Sequence, residues 1–216
     1  MDTQTKTIVE DWGHYINVEP LNKPIKILEG QKVFFTSDTH FGHNNIMTFC
    51  KRPWKTIEEH DEALISRWNG VVGKDDLVFH LGDFAFCTNS RWKELINTLN
   101  GKIYLIYGNH DISRWPGDKT MSLFEGCAMQ MMLKIEGKFV ILNHYPMLTI
   151  PGVYSKGQWK NWIQLYGHVH SGPRVSGKDD SRLSMCFDTQ YDVGVDNNDY
   201  KPIEWQELKK KLGIEC

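Results

Sequence analysis

The amino-acid sequence predicts an α/β fold, and three observations support this prediction. Short apolar runs typical of buried strands alternate with helical segments between residues 33 and 111. Three strands in succession stop at polar residues, which is where open α/β sheets bind their ligands. After residue 120 the alternation gives way to strand-like segments joined by short turns, which indicates a further set of strands.

The individual elements follow from local sequence signals. A helix predicted over 57–72 carries apolar residues near helical spacing, begins with the acidic Glu58 and Glu59, and is followed by Gly73. Residues 171–182 contain glycines, a proline and several charges, and are predicted to form an exposed loop. The remaining predictions are a helix at 91–99 and strands at 25–28, 33–36, 77–81, 103–107, 129–135, 139–143, 165–166 and 191–195.

The length and composition of the chain limit the number of its domains and the kinds of protein that it can be. With 216 residues it is long enough for one well-buried domain, and we expect a single domain over 1–216. The 25 basic and 27 acidic residues nearly balance, so the chain lacks the basic character of a dedicated nucleic-acid-binding protein. The five cysteines form no CxxC pair, which argues against a disulfide framework or a thiolate zinc site and favours a reducing compartment.

The sequence also gives an expectation for location. No apolar stretch near the amino terminus resembles a signal peptide, and no later run is long enough to cross a membrane. We therefore expect a cytoplasmic protein without membrane association. An anionic substrate would need a local source of positive charge, because the overall charge provides none.

Polar residues with ligand chemistry follow the apolar runs at five places along the chain. Several of them stand beside a glycine, which permits a tight turn at the end of a strand. One such group would be weak support for a site, whereas five in order are hard to explain by packing alone. The five groups are Asp38–Thr39–His40, Gly82–Asp83, Gly108–Asn109–His110–Asp111, Asn143–His144 and Gly167–His168–Val169–His170.

The side chains in these groups predict a metal site. Imidazole and carboxylate with one amide oxygen and no thiolate suit manganese, iron, zinc or nickel. Two divalent ions are expected for two reasons: seven candidates exceed what one first-row ion takes with water sites left open, and Asp83 offers a carboxylate able to bridge two ions. Asn109 has an alternative as a turn residue and His144 as a core histidine, but their places in the ordered set favour metal binding. The seven candidates are Asp38, His40, Asp83, Asn109, His144, His168 and His170.

This ordered pattern resembles the calcineurin-like metallophosphoesterase superfamily, whose signature D-x-H, GD, GNH(D/E), H and GHxH is complete here over roughly residues 33–196. The resemblance implies two mixed β-sheets packed as a sandwich and flanked by helices, with the metals at one edge. It implies a first metal held by Asp38, His40, Asp83 and His170. It implies a second metal held by Asp83, Asn109, His144 and His168, and attack on phosphorus by water activated between the two.

His110 is the expected catalytic residue. The resemblance implies that it faces the substrate from outside the ligand set and stabilises or protonates the leaving oxygen. The alternative is a histidine at a strand end that only hydrogen-bonds a backbone carbonyl. Asp111 has two open interpretations, because it either orients His110 or caps the first turn of a following helix.

The segment that follows the first motif directly is expected to overhang the site. It resembles a small stand-alone branch of the superfamily found in bacteria and phages. His43, Asn44 and Arg52 are the candidate substrate-binding residues, with Arg52 expected to bind phosphate oxygens in a bidentate manner. The alternative is a solvated loop in which Asn44 caps a helix. Arg114 and Arg174 are weaker phosphate-binding candidates, because an isolated arginine is more often a surface charge.

The expected function is hydrolysis of a phosphate ester, with a small phosphodiester or nucleotide-like substrate slightly ahead of a phosphomonoester. Manganese is the expected metal, with iron, zinc or nickel as alternatives. Three other functions stay open: a nuclease, for which the sequence shows no basic groove or appendage, a protein phosphatase, and an interaction scaffold built on the same fold. The complete ligand set disfavours the scaffold, and the oligomeric state does not follow from the sequence.

Overall fold

A computed structural model describes residues 6–7, 25–152, 161–171 and 187–214 of the chain. The predicted loop at 171–182 lies outside these residues, apart from Ser171. In chain order, the described strands are β1 Lys6–Thr7, β2 Lys26–Ile27, β3 Val33–Thr36, β4 Leu77–His80, β5 Lys102–Ile106, β6 Gly126–Ala128, β7 Gln130–Ile135, β8 Lys138–Asn143, β9 Trp162–Tyr166, β10 Gln190–Asp192 and β11 Ile203–Glu204.

Six α-helices are described between and after these strands. The longest has 13 residues, and none of the helices within the described ranges is long and apolar enough to cross a membrane. A 3₁₀ turn covers Val195–Asn197. The helices are α1 Asn44–Phe49, α2 Ile57–Asn69, α3 Asn89–Thr98, α4 Asn109–Ser113, α5 Asp118–Met121 and α6 Trp205–Lys211.

The strands and helices predicted from the sequence are present, and their ends differ from the prediction by a few residues. Helix α2 begins where the side chain of Thr56 accepts a hydrogen bond from Glu59 N (3.2 Å), and it ends at Asn69 because Gly70 forms its carboxyl cap. Strand β10 stops at Asp192 because the chain turns into the 3₁₀ turn. The shorter helices and strands β1, β6 and β11 had no clear sequence signal.

The strands form two larger sheets, and both are mixed, as expected. The five-stranded sheet has the order β11-β3-β4-β5-β6, in which β11 is antiparallel to its neighbour and the other pairs are parallel. The four-stranded sheet has the order β10-β9-β8-β7, in which only the β7–β8 pair is antiparallel. Strands β1 and β2 form a separate antiparallel pair.

Two hydrophobic cores flank the five-stranded sheet, because alternate residues of its strands face opposite sides. Phe35 and Phe79 stack with their ring centroids 5.7 Å apart and pack with Leu142 of the four-stranded sheet. On the other face, Phe34 packs with residues of helices α2 and α3, including Trp68. The two sheets therefore form the sandwich predicted above, with helices covering the outer face of the larger one.

The polar motifs meet because five strands end at the same edge of the sandwich. Strands β3, β4 and β5 are parallel to one another, and so are β8 and β9. Backbone contacts then join the loops: Asp38 N donates to Gly82 O (2.9 Å), and Gly167 N donates to His144 O (3.0 Å). His168 N donates to the Asp38 carboxylate (2.9 Å), which links the two sheets directly at this edge.

The close approach of two motif loops predicts an effect of substituting Gly82. This residue has a φ of +95°, and a Cβ placed on it would lie 2.5 Å from Gly108 N, whereas Gly117 has a φ of +88° and open space around the same position. Alanine at either site introduces left-handed strain of about 1–2 kcal/mol. We expect Gly82→Ala to lower the free energy of unfolding by at least about 2 kcal/mol more than Gly117→Ala, because it also adds a backbone clash.

Urea denaturation of the two variants and the unsubstituted protein measures this difference. Equal losses in the two variants would show that the loops of the Gly82 and Gly108 motifs do not approach each other as the structure describes.

Candidate metal centre

Five of the seven predicted ligands have a left-handed backbone conformation. The φ angle is +57° at Asp38, +51° at His40, +56° at Asp83, +69° at His168 and +49° at His170. Such a conformation costs on the order of 1–3 kcal/mol for a residue with a side chain. Only four other non-glycine residues of the described chain adopt it, so the backbone strain is concentrated in the predicted site, as is typical of functional sites.

Asp38, His40 and His170 form a first group of possible metal ligands. Asp38 Oδ1 lies 3.9 Å from His40 Nε2 and 3.7 Å from His170 Nε2. Asp83 Oδ2 lies 3.6 Å from His40 Nε2, so this carboxylate also borders the group. Two donors that each lie about 2.1 Å from one ion are about 3.0–3.5 Å apart, so small side-chain movements would let these atoms share a cation.

Asp83, His144 and His168 form a second group, whose donor atoms lie within 4.8 Å of one another. Asp83 Oδ2 is 3.5 Å from His144 Nε2, and Asn109 Oδ1 is 3.1 Å from the same nitrogen. The structure therefore brings all seven predicted ligands together in two adjoining groups. Asp83 is the one member that borders both of them.

The unpaired polar atoms of the first group show that these residues fit a cation. Asp38 Oδ1 and His40 Nε2 are buried and have no hydrogen-bond partner. Only two other buried side-chain nitrogen or oxygen atoms in the described ranges share this property, so the unpaired atoms are unusual in this protein. A buried polar atom without a partner is destabilising, and a divalent cation between them would satisfy both atoms.

Hydrogen bonds on the outer side of two histidines fix which ring nitrogen faces the site. His144 Nδ1 donates to Leu81 O (2.7 Å), and His170 Nδ1 donates to Asp196 Oδ2 (2.8 Å). In both rings the protonated Nδ1 leaves Nε2 directed at the donor groups described above. This is the arrangement in which histidine binds metal ions in proteins, with the second nitrogen held by a carbonyl or carboxylate.

The electrostatics of the two groups also favour positive charge. Burial tends to lower the pKa of His144, but the hydrogen-bonded Asp83 carboxylate outweighs burial and raises this pKa to about 9. Burial acts in the same direction on His170, yet Asp38 and Asp196 raise the pKa of this residue well above its usual value. At both histidines the raised pKa keeps a proton next to a carboxylate, in the position that a cation would take. Metal ions and protons would therefore compete for the site.

Asp196 is a site residue that the sequence patterns missed. Its Oδ2 accepts hydrogen bonds from His170 Nδ1 and from Arg52 Nη2, both at 2.8 Å, and its Oδ1 accepts one from Arg52 Nε (2.9 Å). Burial would raise the pKa of Asp196, but Arg52 and His170 together lower it, which keeps the carboxylate charged. A charged carboxylate behind a ligand histidine holds the ring in place and increases its affinity for metal.

The expected phosphate contact of Arg52 does not fit its position in the structure. The side chain is buried, and Arg52 Nη1 donates to Thr39 O (2.9 Å) and to His60 Nε2 (2.8 Å). Arg52 Nη2 also donates to Asp38 O (2.7 Å). With the two bonds to Asp196, all five N–H groups are used within the protein. Arg52 therefore supports the first ligand loop from behind, because a buried guanidinium has no donor left for a substrate.

His110 lies beside the two groups without belonging to either. Its Nε2 is 3.9 Å from Asp83 Oδ2, and its backbone N–H donates to Asp83 Oδ1 (2.9 Å). Its side chain is 37% exposed, whereas that of His144 is 1% exposed. Among these two histidines, His110 is the one placed to meet a substrate, and its catalytic role stays a prediction.

The structure favours the capping interpretation of Asp111. Its carboxylate accepts hydrogen bonds from the backbone N–H groups of Gly108 (2.8 Å), Asp83 (2.8 Å) and Phe84 (2.9 Å), and none from the His110 ring. Burial raises the pKa of Asp111 to about 7 despite these bonds. Asp111 therefore joins the loop that carries Asp83 to the beginning of helix α4, and it does not orient His110 directly.

His43 and Asn44 have different surroundings, although they are neighbours in sequence. His43 Nδ1 lies 3.2 Å from His40 Nδ1, and burial is the main cause that lowers the pKa of His43 to about 4. Its ring stacks on Phe86 with centroids 3.9 Å apart. Asn44 is exposed as the first residue of α1, and the cap position belongs to His43. His43 thus supports His40, while substrate binding by either residue stays a prediction.

A third group of donor atoms comprises Cys50, His170 and Asp196. The Asp196 oxygens already accept three hydrogen bonds, and His170 Nδ1 is one of the donors. These bonds account for the proximity of Asp196 and His170, and Cys50 is buried beside them, so we attribute the group to packing behind His170 rather than to another metal site.

Comparison with known proteins relates this site to a family. A family model described as calcineurin-like phosphoesterase matches residues 31–207. An uncharacterized protein of Methanocaldococcus jannaschii is 46% identical over 83 residues, which are 38% of this chain and 47% of that protein, so the match spans about half of the archaeal relative. The gene 66 protein of Mycobacterium phage L5 is 38% identical in an alignment 163 residues long, which covers 64% of this chain and 77% of the phage protein.

A solved structure supports the same fold. A protein of unknown function from Aquifex aeolicus superimposes with a TM-score of 0.61 at 27% sequence identity. The superposition covers 83% of this chain and 98% of the Aquifex chain. The described arrangement of two mixed sheets is therefore shared with an experimentally determined structure.

The position of Asp196 predicts a selective effect on metal binding. Asp196→Asn keeps the size of the side chain but removes the charge behind His170. We expect manganese binding by the group of Asp38, His40 and His170 to weaken about 10–100-fold, with a much smaller effect on the second group. Isothermal titration of the metal-free protein with manganese measures both affinities.

Asp199→Asn is the matched control, because Asp199 is an exposed aspartate in the same segment with a left-handed backbone that asparagine tolerates. Circular dichroism establishes that both variants are folded. An equal loss of affinity at both groups, or the same loss in the control, would contradict a specific role of Asp196 behind His170.

Proposed function

Because this chain belongs to the calcineurin-like phosphoesterase family, we propose that it hydrolyses a phosphate ester with two divalent cations held by the two groups that share Asp83. The observation that carries this proposal is the position of Asp83 Oδ2, 3.6 Å from His40 Nε2 in one group and 3.5 Å from His144 Nε2 in the other. Bound cations would neutralise the charge of the phosphate and lower the pKa of the attacking water.

The ligand chemistry supports manganese as the metal, with iron, zinc or nickel as alternatives. Two dications beside the carboxylates of Asp38 and Asp83 would leave the site with a net positive charge, which the chain as a whole lacks. The proposed first set is Asp38, His40, Asp83 and His170. The proposed second set is Asp83, Asn109, His144 and His168.

We assign the proton donor of the reaction to His110. A water oxygen loses a proton to solvent and attacks phosphorus in line, and the bond from phosphorus to the leaving oxygen breaks. His110 Nε2 gives its proton to that leaving oxygen and regains one from solvent. The partly exposed ring beside Asp83 supports this role, because it adjoins the metal ligands without being enclosed by them. The bond from His110 N to Asp83 Oδ1 holds the residue at a fixed place relative to the ligand carboxylate.

Exposed aromatic side chains on both sides of the ligand groups favour a phosphodiester over a phosphomonoester. Tyr145 is 42% exposed, and its ring centroid lies 4.7 Å from that of His168 in the second group. Phe49 is 67% exposed and lies 6.4 Å from His43, which contacts the first group. A diester has organic groups on both sides of phosphorus, so two flanking apolar surfaces suit it better than a monoester.

The proposal predicts manganese-dependent hydrolysis of bis-p-nitrophenyl phosphate, faster than that of p-nitrophenyl phosphate. We expect Asp83→Asn to abolish turnover, because it removes a ligand shared by both groups. We expect His110→Ala to lower kcat by about 10²–10⁴-fold while manganese binding persists, because only proton transfer is lost. Release of p-nitrophenol is followed spectrophotometrically, before and after chelation of the metal.

Asp75→Asn is the control, since Asp75 is exposed and precedes β4 at the end of the sheet opposite the site. Turnover of folded, metal-loaded protein that survives Asp83→Asn, or that persists after complete removal of metal, would refute the proposed chemistry.

A further inference from the structure

Arg114 is a cationic side chain that the proposed chemistry does not use. It follows His110 by four residues, and its backbone N–H donates to His110 O (3.0 Å) at the carboxyl end of helix α4. Arg114 is the carboxyl cap of this helix. Helix α4 begins at the predicted ligand Asn109 and ends next to Arg114. This short helix therefore fixes how far Arg114 lies from the predicted metal ligands.

Phe86 holds the guanidinium of Arg114 next to His110, the proposed proton donor. Arg114 Cζ lies 4.6 Å from the centroid of the Phe86 ring, a distance typical of a cation–π contact. The Phe86 ring centroid is 4.5 Å from that of His110, and His43 stacks on Phe86 in a nearly parallel orientation, with 5° between the planes. We call His43, Phe86, His110 and Arg114 the Phe86 cluster. It forms one side of the site, beside the first ligand group.

The charge of Arg114 has no counter-ion in the part of the chain that the structure describes. Arg52 is paired with Asp196, and Arg91 is paired with Glu94 (2.6 Å). Arg67 donates to the carbonyl of Asp199 (3.0 Å). Arg114, the fourth described arginine, is exposed and makes only the contact with the Phe86 ring, which leaves its five N–H groups available.

We propose that Arg114 binds a second phosphate of the substrate, attached to the group that leaves toward His110. The proposal rests on the phosphodiester hydrolysis argued above and narrows its substrate to esters whose leaving group carries a further phosphate, such as a segment of a nucleotide strand. A guanidinium matches two phosphate oxygens in a bidentate manner. The Phe86 ring reduces the freedom of the side chain before binding, so less entropy is lost when the phosphate arrives.

Short thymidine dinucleotides test this proposal directly. TpT has only the scissile phosphodiester, whereas pTpT and TpTp each add one terminal phosphate, on opposite sides. The products identify which nucleoside leaves as the alcohol. We expect the dinucleotide with the extra phosphate on that nucleoside to have a kcat/KM about 10–100-fold above that of TpT, and we expect Arg114→Ala to remove this preference. Phe86→Leu, which keeps an apolar side chain without the ring face, is expected to reduce it.

Lys93→Ala is the matched control, because Lys93 is an exposed cation on helix α3 and belongs to no part of the site. Bis-p-nitrophenyl phosphate, which lacks a second phosphate, is the control substrate, and Arg114→Ala should lower its kcat/KM far less than that of the preferred dinucleotide. Equal kcat/KM for all three dinucleotides, or a preference that survives Arg114→Ala, overturns the proposal while leaving the proposed hydrolysis intact.

A binding measurement separates the two proposals if turnover itself fails. The same dinucleotides are titrated into the manganese-loaded His110→Asn variant, with and without Arg114→Ala. Tighter binding of one phosphorylated dinucleotide that depends on Arg114 supports the second phosphate site even where the unsubstituted protein hydrolyses none of them. Equal affinities for TpT, pTpT and TpTp overturn it.

Discussion

The Asp83 residue holds together the parts of the site that come from different strands. Its carboxylate borders both ligand groups, through His40 and His144, and also accepts the backbone N–H of His110. Its own backbone N–H is bound by Asp111, and its carbonyl accepts the N–H of His40 (3.0 Å). Because one residue makes all of these contacts, a shift of its loop would displace both ligand groups and the proposed proton donor at once.

Behind the first group of predicted ligands, a buried ionic network connects the two loops that carry them. His170 is held by Asp196, Asp196 by Arg52, and Arg52 in turn by the carbonyls of Asp38 and Thr39. A buried guanidinium is destabilising unless its charge is paired and its donors are satisfied, and here both conditions are met. The network therefore joins the loop of Asp38 to the loop of His170, and Asp38 Oδ1 lies 3.7 Å from His170 Nε2.

The sequence predicted which residues form the site better than it predicted which residues hold them in position. Strand ends and ligand-type side chains carry a pattern that is visible along the chain, and this pattern led to all seven clustered residues. Asp196 has no such pattern, because its role depends on Arg52, which is 144 residues away in sequence. The prediction that Arg52 binds phosphate was wrong for a related reason. A sequence shows that an arginine is near a motif, but it does not show that the side chain is buried.

Strain in the ligand loops links metal binding to the stability of the fold. Five predicted ligands have left-handed backbones, and Asp38 Oδ1 and His40 Nε2 lack hydrogen-bond partners, so the site contains several unfavourable features in a small volume. Hydrogen bonds between the loops offset part of this cost, and cations that bind the folded chain would offset more. Under the proposed function, metal occupancy would contribute to the free energy of unfolding as well as to turnover. A lowered activity in a ligand variant therefore has two possible origins, lost chemistry and lost folded protein, which only a joint measurement of metal content and stability separates.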